Sequence, residues 1–305
     1  MEKSHMVNMH IAGFLALSSA LCGAVGDVLQ QRATHRVTDD SVGPTGLIAK
    51  LLCDQRWCWG LLIMLASVGL QAAALGEGSV LLVQPLLMFS LLFALPINAR
   101  LSHRTVSAGE WLWAGLLTVA VIVIVTVGDP QAGRSSASLH AWAGVAMVLG
   151  PLLTGCVAAG RIWGGALAAV LYALVSGSLW GIFAVLTKEV VGRLNEGVWT
   201  VVWTPELYAL LLVALGGFVG GQLAFRAGPL TASMPTLQVS QPVVAAVVGV
   251  AVLGETLDAG PAGLLALAAA TLVMVTAIFN LARVDAVATQ SEVEEDRRVP
   301  LGQPA

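Results

Sequence analysis

The chain has 305 residues, 57% of them apolar and 11% charged, with a net charge of -3 and a mean hydropathy of +0.84. A soluble domain carries about 25% charged residues, so this composition excludes an ordinary water-soluble fold and leaves no length for a separate catalytic domain. Clustered cations of the kind that bind phosphate backbones are missing, which excludes a nucleic-acid partner.

Nine apolar stretches follow one another, at 11–31, 57–75, 79–97, 109–127, 140–158, 162–187, 206–225, 230–253 and 260–281. Each is long enough, at about 1.5 Å per residue, to cross a hydrocarbon core of about 30 Å, and only helices satisfy their backbone there in one pass. The expectation is an all-α polytopic bundle of about nine transmembrane helices, a tenth being the alternative, with the lipid bilayer as its environment. Turn chemistry marks the breaks, at Gly76-Glu77-Gly78, Gly128-Asp129-Pro130, Gly228-Pro229 and Asp258-Ala259-Gly260-Pro261. Between the first two spans lies a short apolar stretch, 47–53, too short to cross and suited to an interface. From residue 286 onward, Glu292, Glu294, Glu295 and Asp296 beside Arg297 and Arg298 read as a disordered tail. The domains expected are therefore a first transmembrane repeat over 1–160, a second over 161–285 and a cytoplasmic tail over 286–305.

The cysteines carry little. Cys22 and Cys156 fall in spans, where a small soft side chain packs well, while Cys53 and Cys58 flank a loop without metal-site spacing, a link between them being the alternative. Leu21 stands where a small residue should precede a lipidated cysteine, so the first helix is expected to be retained.

Orientation follows from Lys and Arg. In a nine-span chain the N-terminal side carries Lys3, Arg134, Lys188 and Arg193, and the other side carries the remaining eleven of the fifteen. The positive-inside rule then puts the N-terminus outside and the C-terminus in the cytoplasm, with the plasma membrane as the expected location.

The two halves resemble each other. Ser19-Ala20-Leu21-Cys22-Gly23 in the first span resembles Gly177-Ser178-Leu179-Trp180-Gly181 in the sixth, each offering a small-residue face for close packing. Gln84-Pro85 in the third span has a counterpart in Gln241-Pro242 in the eighth, and Gly78-Ser79 in Ala232-Ser233, although the two matches differ in register. A period of five spans is odd, so the second copy would enter the membrane from the opposite side. Inverted repeats of this kind belong to transporters that bind substrate near the midplane between the halves.

In the second half, Gln241-Pro242-Val243-Val244-Ala245-Ala246, then Val252-Leu253-Gly254-Glu255-Thr256-Leu257, then the Ala/Leu/Gly-rich stretch 263–275 resemble the repeat of the drug/metabolite transporter superfamily, EamA-type branch. In that branch a proline-containing helix runs to a Leu-Gly-Glu turn and a further helix. Locally, Leu29-Gln30-Gln31-Arg32-Ala33 is similar to the start of the NIPA-type magnesium transporters, usually drawn with nine spans. EamA-type proteins usually have ten spans against nine here, and Ile97-Asn98-Ala99-Arg100 stands where the first half would carry Leu-Gly-Glu. The resemblance implies secondary transport of a small solute.

Several polar residues inside spans are candidates for that chemistry. A carboxylate in lipid is costly and faces a cavity or a partner, so Asp27 is a candidate for proton coupling or for attracting a cation; satisfaction by water or Arg32 at the interface is the alternative. Gln71, Gln84, Gln222, Gln238 and Gln241 each offer one acceptor and two donors without a charge, suited to a polar solute or equally to interhelical hydrogen bonds. Pro85 and Pro242, next to two of them, lack an amide donor and free a carbonyl one turn earlier, as in the interrupted helices that line transporter cavities. Glu77, Arg226 and Glu255 at helix ends are candidates for gating by salt-bridge exchange, against interfacial anchoring and turn geometry. Glu206 after Pro205 supports a helix N-terminus, the Gly216/Gly220 and Gly217/Gly221 pairs supply packing faces, and Trp57, Trp59, Trp111 and Trp113 read as an interface belt.

No H-E-x-x-H, G-x-S-x-G or phosphate-binding loop occurs, and Ser178 has no evident base, so neither an enzyme nor a cofactor is expected. The leading expectation is a gradient-driven carrier of a small polar or amphipathic solute. A NIPA-like divalent-cation carrier is the second, weakened because the spans offer chiefly Asp27 and amides where Mg²⁺ prefers several oxygen ligands. A non-transporting membrane scaffold is the third. A central polar cavity separates the carriers from the scaffold.

Overall fold

The computed structural model describes residues 2–37, 55–101, 105–131, 133–134, 136–194 and 197–298. Among them, nine helices are long and apolar enough to cross a membrane: Asn8–Gly26, Cys58–Glu77, Val80–Ile97, Ala108–Gly128, Leu139–Ile162, Gly165–Arg193, Pro205–Ala227, Leu230–Leu253 and Pro261–Val284. They are the first to ninth spans below, and the protein is an all-α, multi-pass integral membrane protein. Residues 47–53 lie outside the described residues.

Local chemistry explains where the spans start. Ser107 and Glu110 form a reciprocal capping box on the fourth span, Ser138 caps the fifth, and Pro205 and Pro261 open the seventh and ninth, where a missing N–H costs nothing. The last helix differs from expectation at its far end, running as Pro261–Arg298 through the segment expected to be disordered. No glycine or proline interrupts 284–298, so the span's helix propagates past the apolar run.

Burial sorts the spans into layers. The third and sixth are the most enclosed, each with 67% of its apolar window buried, and the fifth the least, with 6%. Bulky apolar residues such as Phe14, Leu62, Trp111, Leu152, Leu212 and Leu265 point outward. On a soluble protein such a surface would drive association, whereas here it is what acyl chains solvate. The first span packs on the second and third, the sixth on the seventh and eighth, and the ninth on the fourth and eighth.

Both spans with a Gln-Pro pair are interrupted. The third breaks at Met88 into helices Val80–Leu87 and Phe89–Leu101, three residues after Pro85. The eighth is α-helical over Leu230–Val248 and widens into a π-turn over Gly249–Leu253. Gly254 then takes a φ of 66°, a left-handed conformation that favours glycine, and turns the chain out of the bundle. Beyond it, β2 (Thr256–Leu257) pairs antiparallel with β1 (Pro130–Gln131) in the connection after the fourth span. The connections after the fourth and eighth spans are thus strapped together at one end of the bundle.

Candidate functional site

Two polar regions lie inside the bundle. The first is at the strapped end. Because Gly254 reverses the chain, the Glu255 carboxylate points back inward and is buried, with 1% of the residue exposed. It accepts hydrogen bonds from the backbone N–H of Val80 (2.7 Å) and of Leu81 (3.0 Å), and an ion pair from Lys188 Nζ (2.5 Å). The first turn of the third span is completed by Ser79, whose hydroxyl accepts from Leu82 N–H at 3.1 Å. Unpaired N–H groups and the positive end of the helix dipole favour an anion at that position, and Glu255 supplies it. Gly249 leaves room for the arrangement, since a Cβ there would lie 3.3 Å from Glu255 Oε2 and 3.4 Å from Val80 Cβ.

Next to Lys188 on the sixth span, Glu189 is also buried, accepting from Ala137 N–H (2.7 Å) and from the Trp142 indole N–H (3.0 Å). Two adjacent charged residues therefore bind different parts of this end: Lys188 the eighth-to-ninth turn, Glu189 the start of the fifth span. Arg193 and Glu206 pair at 2.6 Å across the sixth-to-seventh connection and remain partly exposed.

The second region is a central cavity of about 410 Å³. Its walls come from the first three spans on one side and from the sixth, seventh and eighth on the other. Ser176 and Trp180 in its lining precede Lys188 by twelve and eight residues, which places the cavity about 12 to 18 Å below the ion pair at the helical rise of about 1.5 Å per residue. Close packing shapes its walls. A Cβ on Gly181 would come within 2.7 Å of Gln241 O and 2.8 Å of Ala245 N, so the sixth and eighth spans meet backbone to backbone. Gly217, Gly220 and Gly221 seat the seventh span against Trp180 and Ser176. Ser19 and Ser67 exchange hydroxyl-to-carbonyl bonds of 2.8 Å between the first two spans, and Ser176 donates to Gly217 O at 2.7 Å.

The residues singled out from sequence distribute between these regions. Gln71, Gln222, Gln238 and Gln241 line the cavity together. Gln84 does not; it is buried, 1% exposed, and neither amide atom finds a partner among the described residues. Pro85 and Pro242 are buried within their helices. Glu255 belongs to the ion pair, whereas Glu77 and Arg226 are exposed at helix ends. Asp27 immediately follows the first apolar window, and its side chain lies outside the described residues. From sequence alone, Lys188 and Glu189 fall just beyond the expected end of the sixth span at 187, whereas the structure buries both within its helix. The signal available was Val190-Val191, which extends the apolar run past the charged pair and marks it as inside the helix.

No family model matches the chain, and no solved structure matches it. An uncharacterized protein of Corynebacterium glutamicum is 34% identical over 282 residues, covering 90% of this chain and 95% of that protein. The chain belongs to the same family as that corynebacterial protein. The match runs through both halves of the chain.

Proposed function

We propose that the chain is a secondary-active transporter of the drug/metabolite superfamily that carries a small polar or amphipathic solute by alternating access. The observation that carries this reading is the cavity between the two halves, in which four of the five intramembrane glutamines converge. A scaffold would spend those amides on helix contacts. The matching partners of the first and sixth spans, each packed on the next two, support two repeats of inverted orientation. The sealed end above the cavity supports a carrier closed on one side, with Glu255 and Lys188 as its gate. On this reading, opening separates the eighth-to-ninth turn from the third and sixth spans and from the connection after the fourth span with which it pairs, and exposes the cavity to the other face.

The Lys and Arg distribution supports a cytoplasmic C-terminus and an external position for the ion pair, in a plasma membrane. Asp27 remains the candidate for proton coupling, and no catalytic step is ascribed to the protein. The experiment is a solute screen in reconstituted vesicles with and without a pH gradient. Gradient-dependent accumulation of at least one small solute is expected; vesicles that accumulate and exchange none would overturn the reading.

A further inference from the structure

The cavity's chemistry narrows what it can hold, on the reading that it is the solute site. Among the described residues, twenty line it and none of these is charged. The Lys188 and Glu255 charges above it neutralise each other, and Arg226 is exposed outside the lining. A net charge brought against these described walls would therefore lose its water without gaining a counter-charge from them, a cost that exceeds what neutral hydrogen bonds return.

The polar groups that remain are unequal. The hydroxyls of Ser19, Ser67 and Ser176 already donate to backbone carbonyls, so their protons are committed to holding helices together. The amides of Gln71, Gln222, Gln238 and Gln241 make no hydrogen bond among the described residues. Each amide brings two N–H donors and a carbonyl oxygen with two lone pairs, so the open capacity suits groups that both donate and accept, such as hydroxyls, as well as carbonyl oxygens. The lining also holds Trp180, Phe218, Phe225, Met64 and Met88, a set of flat and polarizable surfaces. The Trp180 ring is fixed, edge-on to Phe183 at 5.3 Å and 76°, with Gly217 behind it.

We propose that this cavity binds an uncharged solute with several carbonyl or hydroxyl oxygens and one flat apolar face, the chemistry of a nucleoside or an aryl glycoside. The amides take the oxygens and the aromatic wall takes the flat face. A volume of about 410 Å³ lies in the range of sites that enclose such molecules.

The test uses the purified full chain and matched probes: uridine against uridine monophosphate, and phenyl glucoside against phenyl glucuronide and a phenyl trimethylammonium cation. Binding is measured by equilibrium dialysis, and flux in vesicles is measured separately. At least one neutral probe is expected to bind at least tenfold more tightly than its charged counterpart. Gln241→Leu and, at the exposed mouth, Gln222→Leu should each weaken that binding about tenfold. Gln71→Glu should shift preference toward the cation, a change that a purely structural role for the amide would not produce. Charged probes bound as well as neutral ones, or no probe bound, would overturn the solute class. Neutral binding without flux would instead leave the class standing and remove the transport reading.

Discussion

The strapped end and the central cavity are both polar, and they handle polarity in opposite ways. At the strapped end the carboxylate of Glu255 receives two N–H groups and an ammonium, and that of Glu189 receives one backbone and one indole N–H. In the cavity four amides face one another's space with no partner among the described residues. In lipid an unsatisfied polar group is expensive. The satisfied region therefore holds the bundle in one arrangement, and the open region keeps its hydrogen-bonding capacity for something that enters.

The largest effect should come from breaking the strapped end. Glu255→Leu strands the Lys188 ammonium in a buried site and leaves two helix N–H groups without an acceptor, so a loss of about 3 to 5 kcal/mol is expected. Thermal unfolding in detergent measures it. Adding Lys188→Met should restore part of the loss but not all, because the orphaned N–H groups of Val80 and Leu81 remain. Full restoration would mean that the helix cap contributes nothing.

A smaller effect is expected at the cavity wall. Gly181→Val forces a side chain against Gln241 O and Ala245 N, and overpacking of this kind costs about 1 to 3 kcal/mol. It should also displace Gln241, so solute binding should fall more than stability does. A variant with unchanged binding and lowered stability would show that the wall does not position the amide. Smallest of all, Glu206→Gln opens a partly exposed pair with Arg193 and should cost less than about 1 kcal/mol in the same unfolding assay, which separates the peripheral pair from the buried one.

Much of this architecture is legible from residue order. Span positions follow from the length of apolar run that a bilayer demands, and the breaks follow from Gly-Pro and Gly-Asp-Pro turns. The glutamines stand out because an amide in an apolar helix needs a reason, and four of them share one cavity. Gln84 shows the limit of that argument: its neighbour Pro85 gives it the same local signature as Gln241, but the third span turns it into the packed interior. The ion pair is illegible for a different reason. Lys188 and Glu255 are 67 residues apart and Glu255 and Val80 are 175 apart, so the pairing exists only once the sixth span, the π-turn and Gly254 are in place. Read locally, Lys188-Glu189 looks like a polar helix end. The helix over 286–298 is illegible for a third reason: charge density alone says nothing about helix propagation from a preceding span.

The central claim, that the strapped end must open for solute to cross, is tested by locking it. Gln131 and Thr256 face each other in the β1–β2 register, so Gln131→Cys with Thr256→Cys, after replacement of the four native cysteines, allows a disulfide across the strap. Flux of the solute identified in the vesicle screen is then measured before oxidation, after oxidation and after reduction. Flux is expected to stop in the oxidised protein and to return on reduction, while solute binding persists throughout. Undiminished flux through fully cross-linked protein would contradict it.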